Sequence, residues 1–258
     1  MTQPESRGNS AIDVAHRERN ADFDWDAFDS TAYFAHNYGS LRDDDKQIID
    51  IVADFFQARE IAKLRPRAID VGTGANLYPA LTLLPFAAEL TLYERAFTNR
   101  EWLTAQLAHP SPSWSSFWSH ISDDRRAYQP VREPLNLLSR RARVVKGNVF
   151  GLQPGQFDIG TMFFVAESIT TRNDEFVRAT QLFVNSLKPK APFAAAFMRD
   201  SSGYRVGNRT FPACSVDRGD VERALAPVAT GVTIKTVDSK GLRDGYCGMM
   251  VATGFKRT

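Results

Sequence analysis

The ten residues R-A-I-D-V-G-T-G-A-N at positions 67–76 constrain the fold more than any other stretch of the chain. A short apolar run ending in two glycines reads as a buried strand that passes through a tight turn into a helix. Glycine there permits close backbone approach, and the start of a helix leaves N–H donors free. The same rhythm then recurs. Residues 78–86 and 99–107 have helical patterns around a second strand at 89–94, and a third and a fourth strand follow at 143–149 and 157–164. A helix at 174–187 carries Phe176, Val177, Leu182, Phe183 and Leu187 at helical spacing, with a fifth strand at 193–198. A helix at 217–225 and two last strands at 233–237 and 248–255 complete the series. This alternation predicts an α/β protein: a doubly wound, mostly parallel, seven-stranded sheet that binds ligands at the C-terminal ends of its strands.

Three stretches fall outside that rhythm. Residues 1–22 mix charge, Gly and Pro without a period and read as a mobile arm or a loosely packed cap. The aromatic-rich segment after them ends in an amphipathic helix, with Ile48, Ile49, Ile51, Val52, Phe55 and Phe56 on one face. Asp43, Asp44 and Asp45 stand where carboxylates favour the positive end of that helix, a reading preferred here to a metal site. Residues 109–140, rich in Ser and Pro, read as an insertion with a helix near 134–141.

Charge excludes some functions. With 32 basic and 30 acidic residues the formal charge is +2, so no basic surface for nucleic acid is expected. No apolar run reaches the roughly 18 residues of a membrane span, and the first residues lack the apolar core of a secretory signal; a cytoplasmic location is the expectation. Cys214 and Cys247 form neither a disulfide framework nor a zinc motif, and His16, His36, His109 and His120 lack the short spacings of a metal pair. No metal is expected. A G-x-S-x-G nucleophile motif is also missing.

Glu94 closes the second strand about 20 residues after the glycine turn, where a carboxylate can accept both hydroxyls of a ribose. The third glycine of the dinucleotide fingerprint is absent, since Asn76-Leu77-Tyr78 occupies that stretch, and no Tyr-x-x-x-Lys pair is present. Both points weigh against a nicotinamide-dependent oxidoreductase.

D-V-G-T-G-A-N followed by L-Y-E resembles the nucleotide-site motifs of class I, Rossmann-like S-adenosylmethionine-dependent methyltransferases. F-D-S-T-A-Y-F-A-H-N-Y before the first strand adds to the likeness, as does the tyrosine of G-T-G-A-N-L-Y. So does the order F-D-I-G-T-M-F-F-V-A-E-S, L-K-P, D-S-S-G-Y-R-V-G-N-R-T-F-P. Together these are similar to the nicotinamide, phenylethanolamine and thioether/indolethylamine N-methyltransferase family, over roughly residues 28 to 256.

The resemblance implies an arm and helical lid over residues 1–60, and a Rossmann-like methyltransferase domain over 61–258 that carries the insertion at about 109–140. It implies S-adenosyl-L-methionine as cofactor. Asp70, Gly72, Thr73, Gly74 and Asn76 would form the turn beside it, with Glu94 and Asn99 at the ribose. Asn148, where the family usually has an aspartate, would hold the adenine amino group beside Val149, and Phe163 completes the cofactor set. Tyr33 would lie near the sulfonium or the acceptor, and Tyr38 with Tyr78 at the methionine carboxylate. Phenols donate to carboxylates, and aromatic faces attract cations.

On the acceptor side, Glu167 aligns with an acid that holds the substrate nitrogen, and Asp244 loosely matches a second. Tyr33, Glu167 and Asp244 are thus the catalytic candidates, and Phe164, Glu167, Tyr204 and Asp244 the substrate-binding ones. Phe163 and Trp118 are further candidates for the pocket wall. The activity implied is transfer of a methyl group to a small amine or nitrogen heterocycle, by a monomer or weak homodimer. Oxygen, sulfur and carbon acceptors stay open, as does a non-catalytic cofactor-binding protein, for which the changes at Asn148 and Lys190 leave room.

Overall fold

In a computed structural model, which describes residues 18–58, 66–239 and 247–258, seven strands form one sheet. Its elements run, in chain order, α1 (Ser30–Asn37), α2 (Asp43–Gln57), β1 (Arg67–Val71), α3 (Tyr78–Leu83), β2 (Glu89–Glu94), α4 (Phe97–Ala108), α5 (Ser113–Ser122), α6 (Pro134–Arg141) and β3 (Ala142–Lys146). They continue with β4 (Ile159–Phe163), α7 (Asn173–Ser186), β5 (Pro192–Met198), β6 (Tyr204–Val206), β7 (Arg209–Phe211), α8 (Arg218–Leu225), β8 (Ala229–Val237) and β9 (Met249–Lys256). The sheet order is β3-β2-β1-β4-β5-β9-β8. β1 to β5 pair in parallel, whereas β9 is antiparallel to both of its neighbours. The seven-stranded, mostly parallel sheet expected from the alternation is the one found.

Both sheet faces are covered because side chains alternate along each strand. In β5, Ala194, Ala196 and Met198 face the core beneath α2, α3 and α5, while Phe193, Ala195 and Phe197 face the core under α7 and α8. In β9, Met249 and Val251 share the first core, and Met250 and Ala252 the second. Alanine in mid-sheet lets α2 sit close, and Ile48, Ile49, Val52 and Phe56 of α2 are fully buried there.

Several expectations change. The 109–140 segment is a helix for much of its length. Trp114, Phe117, Trp118 and Ile121 of α5 recur at helical spacing and are buried in the first core. Its serines occupy the outer face, which is why composition suggested irregular chain. Trp118 packs edge-on against Tyr128 at 6.0 Å rather than against a pocket. The hairpin β6–β7 has only three residues per strand and gave no readable pattern. Residues 18–22 are no loose arm. Glu18 N–H donates to Thr171 Oγ1 at 2.8 Å and Asn20 N–H to Glu175 Oε2 at 2.8 Å, 153 and 155 residues away.

Candidate active site

β1 lies between β2 and β4, so successive connections leave its C-terminal end in opposite directions and open a crevice there. A cavity opens in that crevice. Its floor is the glycine turn. Gly72 N–H donates to Tyr93 O at 2.7 Å, which ties the turn to β2. The turn needs glycine: Gly72 has φ +64°, and a Cβ there would stand 2.5 Å from Val165 Cγ2.

Asp70, Gly72, Thr73, Gly74 and Asn76 all border the cavity. Asp70 Oδ1 accepts a bond from Thr161 Oγ1 at 2.7 Å, while Oδ2 is buried with no partner. Burial raises its carboxyl to about 7, with the Glu94 charge adding to the shift and the Thr161 and Thr73 hydroxyls opposing it. Glu94 ends β2 at the cavity edge. Its Oε2 accepts Gly74 N–H at 2.8 Å and Oε1 accepts Ala96 N–H at 2.7 Å. These bonds hold both oxygens in place while leaving lone pairs for a ligand hydroxyl. Burial raises the Glu94 carboxyl above its usual range, although these N–H groups favour its charge. Asn99 stands beside it, with Oδ1 accepting from Ser30 Oγ at 2.7 Å.

Asn148 and Val149 border the far side, as expected, but the Asn148 amide is already engaged. Its Oδ1 accepts Phe150 N–H at 3.1 Å and Asn20 Nδ2 at 3.3 Å. Gly147 next to it lets the ring of Tyr93 lie against the backbone, where a Cβ would come within 1.9 Å of Tyr93 Cζ. Asn20, Trp25 and Arg95 border the cavity without having been singled out from sequence. Arg95 Nη1 donates to Asn20 O at 2.8 Å and to Asn20 Oδ1 at 2.6 Å, and Trp25 Nε1 donates to Asn20 O at 3.0 Å. Arg95 follows directly on Glu94 at a strand end, and that adjacency was the one available signal.

Aromatic side chains form the roof. Phe28 meets Tyr33 at 5.1 Å between ring centroids, Tyr33 meets Tyr38 at 6.0 Å, and Phe163 meets Phe164 at 6.3 Å. Tyr204, at the start of β6, stacks on Phe211 at 5.5 Å and borders the same space. Phe164 has φ +58°, a left-handed conformation that is costly for a large side chain and frequent at functional sites.

Three expected residues are placed elsewhere or not described. Tyr78 is fully buried behind Tyr38, stacked on Phe117 at 5.6 Å, and does not border the cavity. Helix α3 begins at Tyr78 and turns its ring into the first core. Glu167 is also fully buried and does not border it. Its Oε1 accepts Met198 N–H at 2.9 Å and Ser168 Oγ at 3.2 Å, so the carboxylate joins the ends of β4 and β5. Asp244 lies outside the described residues. Among the described residues no His, Cys, Asp and Glu cluster can hold a metal ion, and no helix is long and apolar enough to cross a membrane.

Residues 18–253 match the profile of the NNMT/PNMT/TEMT family. A search of curated proteins finds no match. Among solved structures, the chain resembles the CurJ carbon methyltransferase, with 10% identity and a TM-score of 0.55, over 92% of this chain and 62% of that one. It also resembles an S-adenosylmethionine-dependent methyltransferase of Methanosarcina mazei, with 11% identity and a TM-score of 0.50, over 76% of this chain and 94% of that one. Likeness at such low identity establishes a shared fold.

Proposed function

The chain belongs to the NNMT/PNMT/TEMT family and is an S-adenosylmethionine-dependent methyltransferase acting on a small molecule, and we propose that the atom it methylates is a nitrogen. When bound, S-adenosylmethionine supplies a methyl group made electrophilic by a sulfonium. Two features of the cavity fit such a molecule. A Cβ at Gly74 would meet only the Gly72 carbonyl oxygen, at 3.7 Å, so glycine there keeps the space over the turn open for a ligand, and the orphaned Asp70 Oδ2 lies at the cavity floor.

Glu94 receives the ribose hydroxyls, held ready by its two backbone donors, with Asn99 beside it. Asn148 and Val149 flank the adenine. With Asn148 Oδ1 already engaged, its contribution is to fix Asn20 across the base. Tyr33 and Phe163 offer ring faces to the sulfonium, a contact worth about 0.5–2 kcal/mol. Tyr38 presents its hydroxyl at the methionine end, and Tyr78 supports it edge-on at 5.8 Å. Phe164 and Tyr204 bound the acceptor. Glu167 sets the position of the loop that carries Phe164 and Ser168 through its bond to Met198. The N-terminal segment, over its described residues 18–58, serves as the lid.

Methyl transfer in line needs alignment, exclusion of water, and stabilisation of the positive charge that passes to the acceptor. One observation carries the nitrogen reading. Behind Tyr33, Tyr38 and Phe164 stand two buried carboxylates, Asp44 and Asp45, at a small adjoining cavity. Carboxylates stabilise charge appearing on nitrogen, whereas an oxygen acceptor needs a base to remove its proton before or during attack.

Calorimetric titration with S-adenosylmethionine and S-adenosylhomocysteine tests the first part, and binding of neither overturns it. A screen of amines, nitrogen heterocycles, alcohols and thiols with isotopically labelled cofactor, read by mass, tests the second. Methylated products confined to alcohols or thiols would refute the nitrogen assignment.

A further inference from the structure

Helix α4 begins just after β2 ends, and its first turn lies at the Glu94 end of the main cavity. Glu94 Oε1 accepts Ala96 N–H at 2.7 Å, and Asn99 is the third residue of the helix. The N-terminal segment grips that same turn at two points. Asp26 Oδ1 accepts Phe97 N–H at 2.6 Å on the exposed side, and Ser30 Oγ donates to Asn99 Oδ1 at 2.7 Å on the buried side. Ser30, Asn99 and Glu94 are all buried. Glu94 and Asn99 border the cavity, whereas Ser30, the first residue of α1, does not.

Which way round the Asn99 amide sits decides what it offers. A side-chain amide has an acceptor at one end and two N–H donors at the other. With the Ser30 hydroxyl on Oδ1, the Nδ2 end is left for Glu94, and Asn99 acts on that carboxylate through a hydrogen bond that favours its charge. Turned over, the amide would set its oxygen against a carboxylate that burial already holds above its usual range.

We propose that Ser30 is a positioning residue for the cofactor: its hydroxyl fixes the Asn99 amide so that Nδ2 serves the Glu94 carboxylate and the ribose, and docking of α1 on α4 thereby completes the ribose end of the site. This assignment rests on the methyltransferase reading above and involves no covalent step. Each Glu94 oxygen already accepts one backbone N–H, from Gly74 or from Ala96, which leaves room on each for one ribose hydroxyl. A proton on either oxygen takes that place.

Loss of the Ser30 hydroxyl leaves Asn99 Oδ1 buried without its donor and loosens the amide. Glu94 then takes up a proton at a higher pH than in the wild type, so cofactor affinity is lost earlier as pH falls. The other charged groups facing Glu94 are Asp70 from β1 and Arg95 beside it, and Arg95 is itself faced by Asp26 and Glu175. All four are present in both proteins, so the difference between them reads the hydroxyl.

The full chain is titrated with S-adenosylhomocysteine by calorimetry at pH 8 and at pH 6. Relative to the wild type, Ser30→Ala should bind about fivefold more weakly at pH 8, the effect of one hydrogen bond, and that gap should at least double at pH 6. Asp29→Ala removes the cap of α1, where Asp29 Oδ1 accepts Ala32 N–H at 2.9 Å, and keeps Ser30. It should show no such widening. Adding Ser30→Ala to Asn99→Ala should change affinity less than twofold, because the effect passes through the amide. A cooperative melt confirms that each variant is folded. Unchanged affinity in Ser30→Ala, equal losses at the two pH values, the same widening in Asp29→Ala, or additive losses in the double variant each overturn the proposal and leave Ser30 a packing contact of the lid. A wild type that binds no S-adenosylhomocysteine refutes the methyltransferase reading itself, whereas these failures in a wild type that binds it refute the Ser30 assignment alone.

Discussion

Asn20 Nδ2 donates to Asn148 Oδ1 at 3.3 Å across the mouth of the main cavity, joining residues 128 positions apart. The same Asn20 is held by the Arg95 guanidinium through two bonds and by Glu175 through its N–H. This small network closes the N-terminal segment over the ends of β2 and β3. It also occupies the oxygen of Asn148 that would otherwise be offered to a ligand.

Asn20→Ala removes the side chain at the centre of that network and leaves Arg95 only its bond to the residue-20 carbonyl. S-adenosylhomocysteine affinity should fall about tenfold, or about 1.4 kcal/mol. A double-mutant cycle with Arg95→Ala, read by calorimetry, should show coupling of roughly 1–3 kcal/mol. Additive effects would mean that the network does not act as a unit.

Asp70 gives a pH signature. Burial raises its carboxyl from 3.8 to about 7 in the folded chain, so the folded state binds its proton more tightly than the unfolded state does. The stability this contributes is fully present below the unfolded value near pH 4 and is lost as pH rises through about 7. Asp70→Asn keeps an acceptor for Thr161 and carries no charge. It should be more stable than the ligand-free wild type at neutral pH by about 2–4 kcal/mol, with the advantage vanishing near pH 4. Denaturant midpoints measured from pH 4 to 8 check this, and a pH-independent difference counts against it.

Gly72→Ala faces both a left-handed φ and a clash with Val165. A loss of about 1–3 kcal/mol in stability is expected. Val165→Ala in the same chain should recover only part of it, because the backbone strain remains. Full recovery would assign the whole effect to the clash.

Tyr38 and Tyr78 should respond differently to loss of the hydroxyl, although their sequence contexts suggested a common role. Tyr78→Phe removes a buried hydroxyl that closes no hydrogen bond, so cofactor affinity should change less than twofold and the melting temperature should hold or rise. Tyr38→Phe, which borders the cavity, should weaken S-adenosylhomocysteine about fivefold to tenfold. Equal losses in titration would place both hydroxyls at the ligand.

Much of the fold is written in local patterns. Strand-and-helix alternation, the paired glycines and the carboxylate 20 residues beyond them are short-range signals, and they predict the mostly parallel seven-stranded sheet, whereas its strand order and the Gly74–Glu94 bond are tertiary. The hairpin β6–β7 was unreadable because three-residue strands carry no period. Helix α5 was hidden by serines on its outer face, although Trp114, Phe117, Trp118 and Ile121 kept the spacing. Glu167 shows the harder limit. Its position after β4 was legible, but its turn toward Met198 N–H depends on how β5 ends beside it.

The order of residues determined the periods, the glycine turn and the family resemblance, because each depends on neighbours within a few positions. Tertiary structure alone decided which side of a shared wall each group faces. Asp43, Asp44 and Asp45 are three consecutive aspartates, yet one is solvated, one is paired with Arg42 and one turns a buried carboxyl toward Tyr78. The physical reason is that successive helical residues point about 100° apart. What each direction meets is set by Tyr78, Ser239 and β9, and Ser239 lies 195 residues beyond Asp44.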